Sequence, residues 1–431
     1  MKLVQVRSLD GVSQVRWLAD SSRSRRASSW AWLALSMLLI LLTACSGQTG
    51  GVTPPTTPIA LLGTAMPTAT PSPTATPDPL LAAKAKVLQI MAGMTLQQKL
   101  GQLIVVEYLG NDYHGTGLQY MVTQQYVGGV LYQTVNHNFV APENTVAGMA
   151  AFSQKVQQDA KIPLLLGTDQ EGGEVNRLEP FHGPLPSASA IAQTGNPQYA
   201  YDQGKQWAIW MQQMGINADL APVVDVQTAN PPLLQSRLFG TTPTAVETYA
   251  GAFLNGLQQN GVIGCLKHFP GLGSLGPDDD PHFGLPTVKR DLNDLEQIDL
   301  APYREMIAQY HPLMIMDTDV VTTAIDPTLP AELSPKAING VLRGQLGYDG
   351  VIITDGLYMH GISEHWSIGE AAAMAIIAGN DLVEGPFTTA EVSQVLTSFN
   401  QALASGQLTE ARIDQSVERV LLMKVEAGII K

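Results

Sequence analysis

The sequence is poor in cysteine: only Cys45 and Cys265 occur among its 431 residues. Two cysteines cannot form a disulfide framework, so the fold has to be stabilised by an apolar core. Cys265 lies within the apolar run 262–266, which favours a buried small side chain over the alternative of a reactive thiol. Cys45 stands instead at the end of an apolar leader.

Basic residues are also scarce, with 24 Lys and Arg against 38 Asp and Glu and a formal net charge of −14. Residues 1–44 contribute +4 to this total, so the rest of the chain carries −18. Such an excess of negative charge opposes binding to nucleic acid and electrostatic adhesion to anionic lipid. We therefore expect no nucleic-acid partner, while the charge itself does not identify a substrate.

The first 44 residues have the pattern of a bacterial secretion signal. Arginines precede an apolar run at 30–44, which is shorter than the ~20 residues that span a bilayer but suits a signal-peptide core. The run ends in Leu-Thr-Ala-Cys at Cys45 and resembles the lipobox of bacterial lipoproteins, in which the cysteine is lipidated and becomes the first mature residue. We predict a lipoprotein signal peptide over 1–44 and a lipid anchor at Cys45 on the outer side of the cell membrane. An ordinary signal peptide and an uncleaved anchor are the alternatives.

Residues 45–78 are dominated by Thr, Pro, Ala and Gly. This composition cannot bury enough apolar surface to fold, and its prolines favour an extended chain. The segment is predicted to be a disordered Thr/Pro-rich linker that holds the body, residues 79–431, away from the membrane.

Short β-type runs alternate with segments of helical spacing throughout the body. Eight such strands separated by helices favour a single (β/α)₈ TIM-type barrel, with an open doubly wound sheet as the alternative. Helices are expected from Pro79 to Ala92, from about Met94, and over 246–259 and 335–346. The predicted strands are 103–108, 129–132, 163–168, 218–226, 262–268, 313–317, 351–355 and 381–384.

Polar residues cluster directly after these predicted strands. The carboxyl ends of the strands form the catalytic face of a (β/α)₈ barrel, so this placement favours the barrel and predicts the position of the site. The clusters are Asp169 with Glu171, Asp225, Lys267 with His268, Asp317 with Asp319, and Asp355.

The segment Asp280-Pro281-His282 has the spacing of an acid–base pair. A histidine titrates near neutrality and suits proton transfer when a carboxylate fixes its tautomer. Asp280 is near enough in sequence to do so. A solvated acidic loop and a carboxylate–histidine metal site are the alternatives.

From about Met94 to its C-terminus the chain resembles glycoside hydrolase family 3, in particular the single-domain β-N-acetylglucosaminidases. Many motifs in the same order make the resemblance specific. They are Asp-Gln-Glu-Gly-Gly at 169–173, Ala-Pro-Val-Val-Asp-Val at 221–226, Arg-Leu-Phe-Gly at 237–240, Lys-His-Phe-Pro-Gly at 267–271, Leu-Ser-Pro at 333–335, Ile-Thr-Asp-Gly-Leu-Tyr-Met at 353–359 and Arg-Ile-Asp-Gln-Ser-Val at 412–417.

The resemblance implies roles for particular residues. Asp355 matches the nucleophile that forms a covalent glycosyl-enzyme, and Asp280 with His282 matches the acid–base dyad of this branch. From the residues alone, Asp355 would more often cap a helix. The positions that hold the sugar in this family are matched by Asp169, Arg177, Arg237, Lys267 and His268; buried ion pairs are the alternative role for Arg177 and Arg237.

Several positions depart from the pattern of the branch. Leu272 stands where the family often has histidine, Pro281 where the dyad commonly has serine, and Asp317 where strand six is expected to end in histidine. The second acid often seen beside the nucleophile is replaced by Gly356. None of these departures removes a proposed catalytic residue, but together they bear on substrate preference.

The resemblance implies a retaining exo-β-N-acetylglucosaminidase that removes terminal N-acetylhexosamine from cell-wall or chitin-type glycans. Only about 45 residues follow the eighth predicted strand, and this together with the Asp280–His282 pair favours this branch over the two-domain β-glucosidases. The alternatives are another family 3 exo-glycosidase or a phosphorylase, and a non-catalytic sugar-binding surface lipoprotein. We expect a monomer with a carbohydrate substrate, and the sequence predicts neither a metal nor an organic cofactor.

Overall fold

The computed structural model describes residues 2–7, 13–18 and 79–431. Lys2–Arg7 and Ser13–Leu18 form an antiparallel two-stranded sheet, a pairing that the signal-peptide prediction does not include. The linker at 45–78 and the predicted lipidation site Cys45 lie outside the described residues. The described residues fall into two units, one with 2–7 and 13–18 and the other with 79–431. Within the described ranges, no helix combines the length and the apolar character that crossing a bilayer requires.

The second unit contains a closed barrel of eight parallel strands arranged in chain order, in which the eighth strand pairs with the first. This closure confirms the (β/α)₈ prediction and excludes the open sheet. The strands are β1 (Ile104–Glu107), β2 (Gly129–Leu131), β3 (Leu165–Thr168), β4 (Ala218–Asp219), β5 (Ile263–Phe269), β6 (Met314–Asp317), β7 (Val351–Gly356) and β8 (Leu382–Glu384).

Each predicted strand overlaps one of these eight, but β4 is much shorter than the expected 218–226. Pro222 has no backbone N–H to donate to a neighbouring strand, and regular pairing stops before it. Beyond β4 the chain still runs beside β5, where the backbone N–H of Val224 donates to the Lys267 carbonyl at 2.7 Å. A short parallel pair, Thr287–Val288 with Val321–Thr322, lies outside the barrel.

Helices follow the strands and surround the barrel. The predicted helix at Pro79 runs to Ala92 as expected, and the next begins at Leu96, where Thr95 forms a capping box with Gln98. The α-helices are Pro79–Ala92, Leu96–Gly101, Gly117–Thr123, Val146–Asp159, Glu179–His182, Ala188–Gln193, Pro197–Gln213, Pro243–Gln258, Leu292–Asp294, Leu300–Tyr310, His360–Ser363, Ile368–Ala378, Thr389–Ala404 and Glu410–Glu426. Leu295–Asp299 and Lys336–Gln345 are π-helical, the latter where an ordinary helix was expected.

Two apolar layers stabilise the barrel. The interior is filled by side chains from the strands, including Val105, Leu131, Ile263 and Met314. Cys265 belongs to this layer and is fully buried, which confirms the prediction of a small core side chain. A second, larger layer lies between the strands and the surrounding helices. Because both layers are apolar, polar side chains can enter the barrel only at its ends.

Lys424, on the last helix, is an exception at the edge of the core. Its ammonium group is buried and donates to Gln102 Oε1 and to the Gly128 carbonyl, both at 2.9 Å. Both partners are neutral, and burial lowers the pKa of Lys424 to about 7. The folded protein therefore loses this proton at a much lower pH than the unfolded chain.

We predict that Lys424 makes the free energy of unfolding rise with pH between about 7 and 10. In that range the unfolded chain keeps a proton that the folded protein has released, which contributes up to about 1.4 kcal/mol per pH unit. Urea unfolding of the wild type and of Lys424→Met across this range checks it. Groups other than Lys424 titrate in both proteins, so the difference between the two free energies of unfolding isolates the contribution of Lys424. A constant difference between the two proteins would contradict the prediction.

Candidate active site

Four charged side chains form a buried ion cluster at the carboxyl ends of β3 and β5, which we call the mouth cluster: Asp169, Glu171, Arg237 and Lys267. Lys267 Nζ lies 2.6 Å from Asp169 Oδ1 and 2.7 Å from Glu171 Oε1. Arg237 donates two hydrogen bonds to the carboxylate of Glu171, from Nε at 2.6 Å and from a terminal nitrogen at 2.9 Å. The two cations and two anions compensate one another out of water.

The pKa values in the mouth cluster follow from this mutual compensation. Burial by itself would raise the pKa of Glu171, but the charges of Arg237 and Lys267 hold it well below its usual range. Burial would likewise lower the pKa of Lys267, but Asp169 and Glu171 raise it. All four groups are therefore charged at neutral pH, which leaves donors and acceptors fixed at the barrel mouth.

Gln133, the second residue after β2, extends the mouth cluster. Its amide nitrogen donates to Asp169 Oδ2 at 2.5 Å, and its amide oxygen accepts from Arg177 Nε at 2.7 Å. Sequence reasoning missed Gln133, although a polar residue directly after an apolar strand was the available signal. Among the described residues, Arg237 forms a buried ion pair with Glu171, which was the alternative role considered for it. Arg177 instead donates to the side-chain amide of Gln133.

His268 joins the mouth cluster from the end of β5. Its Nδ1 lies 2.8 Å from Asp225 Oδ2, and its Nε2 lies 3.3 Å from a terminal nitrogen of Arg237. Because Arg237 can only donate, Nε2 accepts and Nδ1 carries the proton toward Asp225. Asp225, which ends the segment after β4, also accepts the backbone N–H of Leu272 at 2.8 Å.

The dyad residues Asp280 and His282 form a direct pair in the loop after β5. Asp280 Oδ1 lies 2.7 Å from His282 Nδ1 and also accepts the His282 backbone N–H at 2.9 Å. Burial would raise the pKa of Asp280, but the hydrogen bond and charge of His282 lower it. The His282 side chain is 42% exposed against 22% for Asp280, so Nε2 is left to face a substrate.

Leu272 and Pro281, which depart from the family pattern, both make contacts that hold the dyad loop in place. Leu272 is buried in a small apolar cluster with Leu275 and Val320, where a histidine would lack this packing. The Pro281 carbonyl accepts the backbone N–H of Gly361 at 3.1 Å. This bond links the loop to the helix that follows β7. It uses the carbonyl of Pro281, so the lack of a backbone N–H in proline does not affect it.

Asp355 lies near the carboxyl end of β7 and is partly exposed. Its Oδ2 accepts from the Thr318 hydroxyl at 2.8 Å, and its Oδ1 accepts from the Gly356 backbone N–H at 2.9 Å. The next helix, His360–Ser363, has Met359 at its N-cap, so the alternative of Asp355 as a helix cap is wrong. Two donors orient this carboxylate toward the mouth.

Three buried acids from the end of β6 and the segment after it interact electrostatically with Asp355. Asp317 and Asp319, on either side of Thr318, are fully buried, as is Glu332. Burial raises the pKa of each well above its usual value, and for Asp319 the charge of Asp355 adds to this. Asp317, which stands where the family pattern has a histidine, is thus one of the buried acids near Asp355.

A carboxyl pair at the ends of β1 and β8 was missed by sequence reasoning. Glu107 and Glu384 hydrogen-bond each other, and burial raises the pKa of both. Glu107 also accepts from Asn136 and, at 3.1 Å, from the Tyr358 hydroxyl. Both glutamates end apolar strands, which was the signal that could have revealed them.

All eight predicted catalytic and sugar-binding residues follow or end strands of the barrel at one face. Direct contacts, with Gln133 and Glu171 as bridges, link Asp169, Arg177, Arg237, Lys267 and His268. Asp280 interacts electrostatically with Arg237 and with Asp319, and Asp319 with Asp355. Within 79–431, no group of three or more His, Cys, Asp or Glu side chains has the arrangement of a metal site.

Comparison with known proteins identifies the family. The sequence profile of the glycosyl hydrolase family 3 N terminal domain matches residues 95–423. The chain is 35% identical over 343 residues to the beta-hexosaminidase LpqI of Mycobacterium tuberculosis, a match that covers 78% of this chain and 84% of that protein.

Solved structures agree with this match. A glycoside hydrolase family 3 beta-N-acetylglucosaminidase from Paenibacillus sp. str. FPU-7 has a TM-score of 0.74 at 35% identity, over 78% of this chain and 63% of that chain. The structure of M. tuberculosis LpqI has a TM-score of 0.71 at 34% identity, over 78% of this chain and 96% of that chain. The resemblance predicted from the motifs is confirmed, and the chain belongs to glycoside hydrolase family 3.

Proposed function

We propose that this protein is a monomeric, retaining exo-β-N-acetylglucosaminidase that removes terminal N-acetylhexosamine from cell-wall or chitin-type glycans. The observation that carries the proposal is the Asp280–His282 pair, 2.7 Å apart, at the same barrel face as Asp355. The names of its relatives, a beta-hexosaminidase and a beta-N-acetylglucosaminidase, support the same substrate class. No observation favours a phosphorylase or a β-glucosidase.

In the first step, a carboxylate oxygen of Asp355 attacks the anomeric carbon of the sugar. The bond from that carbon to the leaving oxygen breaks, and protonated His282 delivers the Nε2 proton to this oxygen. Asp280 stabilises the imidazolium that is required, because its oxygen already accepts from Nδ1. The products of this step are a glycosyl ester on Asp355 and a released alcohol.

In the second step, neutral His282 removes a proton from water at Nε2. The resulting hydroxide oxygen attacks the anomeric carbon, and the ester bond to Asp355 breaks, so the anomeric configuration is retained overall. The same dyad thus serves as acid and then as base. A hydrogen-bonded Asp–His dyad also lessens the repulsion against a ligand or intermediate that carries negative charge.

The mouth cluster and Arg177 supply the hydrogen bonds that hold the sugar. Asp169 is the natural acceptor for hydroxyl groups, while Arg177, Arg237 and Lys267 are donors to hydroxyl and acetamido oxygens. Glu171 is fully buried between two of these cations. We assign it the role of holding the cations in place, because it offers little surface to a ligand.

We predict that Asp355→Asn abolishes turnover, because an amide is too weak a nucleophile to form the ester. Residues 79–431 should release 4-nitrophenol from the N-acetyl-β-glucosaminide and not from the β-glucoside, and the variant should release it from neither. A wild-type protein that binds the sugar without cleaving it would overturn the enzyme proposal in favour of a sugar-binding lipoprotein.

The dyad gives a separate prediction that depends on the leaving group. His282→Ala should lower kcat/KM by about 10³-fold for a chitin disaccharide, whose leaving alcohol needs a proton. The loss should be much smaller for 4-nitrophenyl N-acetyl-β-glucosaminide, since nitrophenolate leaves unprotonated. Asp280→Asn, a variant of matched size, should show the same pattern more weakly. Equal losses of His282→Ala on both substrates would contradict an acid role.

We infer from the leader that the protein acts outside the cytoplasm, attached to the cell membrane by a lipid on Cys45. The apolar run before Cys45 and the Thr/Pro-rich segment after it support this arrangement.

For the full-length protein expressed in bacteria, Cys45→Ala should move the enzyme from the membrane fraction to the soluble fraction. Cys265→Ser is the matched control, because that cysteine is buried in the barrel and should leave the membrane attachment unchanged. Cell fractionation followed by immunoblotting measures both. Membrane retention of the Cys45 variant would contradict lipid anchoring.

A further inference from the structure

Thr318 lies between two carboxyl groups that compete for its single proton. Its hydroxyl oxygen is 2.8 Å from Asp355 Oδ2 and 3.3 Å from Asp319 Oδ1. A hydroxyl has one proton to donate, although its oxygen can also accept. If both carboxyl groups were ionised, one of them would face the lone pairs of Thr318 without a hydrogen bond.

We propose that Asp319, Thr318 and Asp355 form a directed hydrogen-bond chain that orients the nucleophile. In this chain the protonated carboxyl of Asp319 donates to Thr318 Oγ1, and the Thr318 hydroxyl donates to Asp355 Oδ2. Thr318 and Asp319 are positioning residues, since they act through Asp355. The inference deepens the proposed function and rests on Asp355 being the nucleophile.

The surroundings of Asp319 favour the neutral carboxyl. The residue is fully buried, and its second oxygen, Oδ2, has no hydrogen-bond partner among the described residues. An ionised oxygen left in this way is costly, whereas the carbonyl oxygen of a neutral acid is tolerated. Burial and the charge of Asp355 both raise the pKa of Asp319, which agrees with the geometry.

The packing also fixes Asp319 in place. Gly361 leaves the space that Asp319 occupies, because a Cβ atom built on Gly361 would lie 2.2 Å from Asp319 Oδ2. The same glycine donates its N–H to the Pro281 carbonyl of the dyad loop. Asp319 Oδ2 therefore lies against the helix that follows β7, at the glycine that links this helix to the loop that carries His282.

The direction of the chain matters for catalysis. When Thr318 donates to Oδ2 and Gly356 donates to Oδ1, both oxygens of Asp355 are fixed and the carboxylate remains ionised. If the chain ran in the opposite direction, Asp355 would carry the proton and could not attack. For Asp355 to act as the nucleophile, the neutral carboxyl group in the chain therefore has to be that of Asp319.

Two matched pairs of variants test the chain. Thr318→Val keeps the shape and removes the hydroxyl, while Thr318→Ser keeps the hydroxyl. Asp319→Asn keeps a donor, because its amide N–H can replace the carboxyl proton, while Asp319→Leu keeps the same branched skeleton at Cγ and has no donor.

With 4-nitrophenyl N-acetyl-β-glucosaminide, Thr318→Val and Asp319→Leu should each lower kcat/KM by about 30-fold, as for the loss of a hydrogen bond to a charged group. Thr318→Ser and Asp319→Asn should recover most of that loss, to within about 5-fold of the wild type. The inhibition constant of N-acetylglucosamine should change little in all four, since the chain orients Asp355 and does not contact the sugar. Thermal unfolding reports whether each variant is folded.

Two results would overturn the chain while the wild type is active. One is a Thr318→Val variant that is folded and as fast as the wild type. The other is an Asp319→Asn variant as slow as Asp319→Leu, which would mean that an ionised Asp319 is needed. A wild-type protein without turnover would instead refute the proposed function on which the chain rests.

Discussion

The barrel mouth depends on one interaction, the contact of Glu171 with both Lys267 and Arg237. Removing a single ion from water costs several kcal/mol. Arg237 is tolerated because Glu171 lies against it, and Lys267 because both Glu171 and Asp169 do. The four groups come from three separate segments of the chain. They meet only when β3, β4 and β5 lie side by side, so the pairing of these three strands also assembles the mouth cluster.

The mouth is divided into two electrostatic halves. On the side of β3 to β5, anions and cations are paired, and the groups stay charged. On the side of β1 and β6 to β8, carboxyl groups predominate, and burial raises the pKa of Glu107, Glu384, Asp317 and Asp319. Asp355 differs from these neighbours because it is partly exposed and accepts two hydrogen bonds. Burial thus raises the pKa of these four neighbouring acids, whereas two hydrogen-bond donors face the carboxylate of Asp355.

Much of the architecture could be predicted because its signals are local. Apolar runs of strand length identified all eight strands, and polar residues after them identified the catalytic face. Where the prediction failed, the cause was also physical. Pro222 ends the regular pairing of β4 early, and the π-helical bonding of Lys336–Gln345 has no sequence signal that separates it from an ordinary helix.

The sequence by itself determined the barrel and the family and named candidate site residues, because strand periodicity, motif order and residue type are properties of short segments. Only the tertiary structure decided which of those residues meet. Glu171 contacts Arg237 across 66 positions, Thr318 contacts Asp355 across 37, and Tyr358 contacts Glu107 across 251. Such pairings depend on the register of neighbouring strands and on the closure of β8 against β1. No local pattern specifies them, because contacts between distant segments exist only in the folded chain.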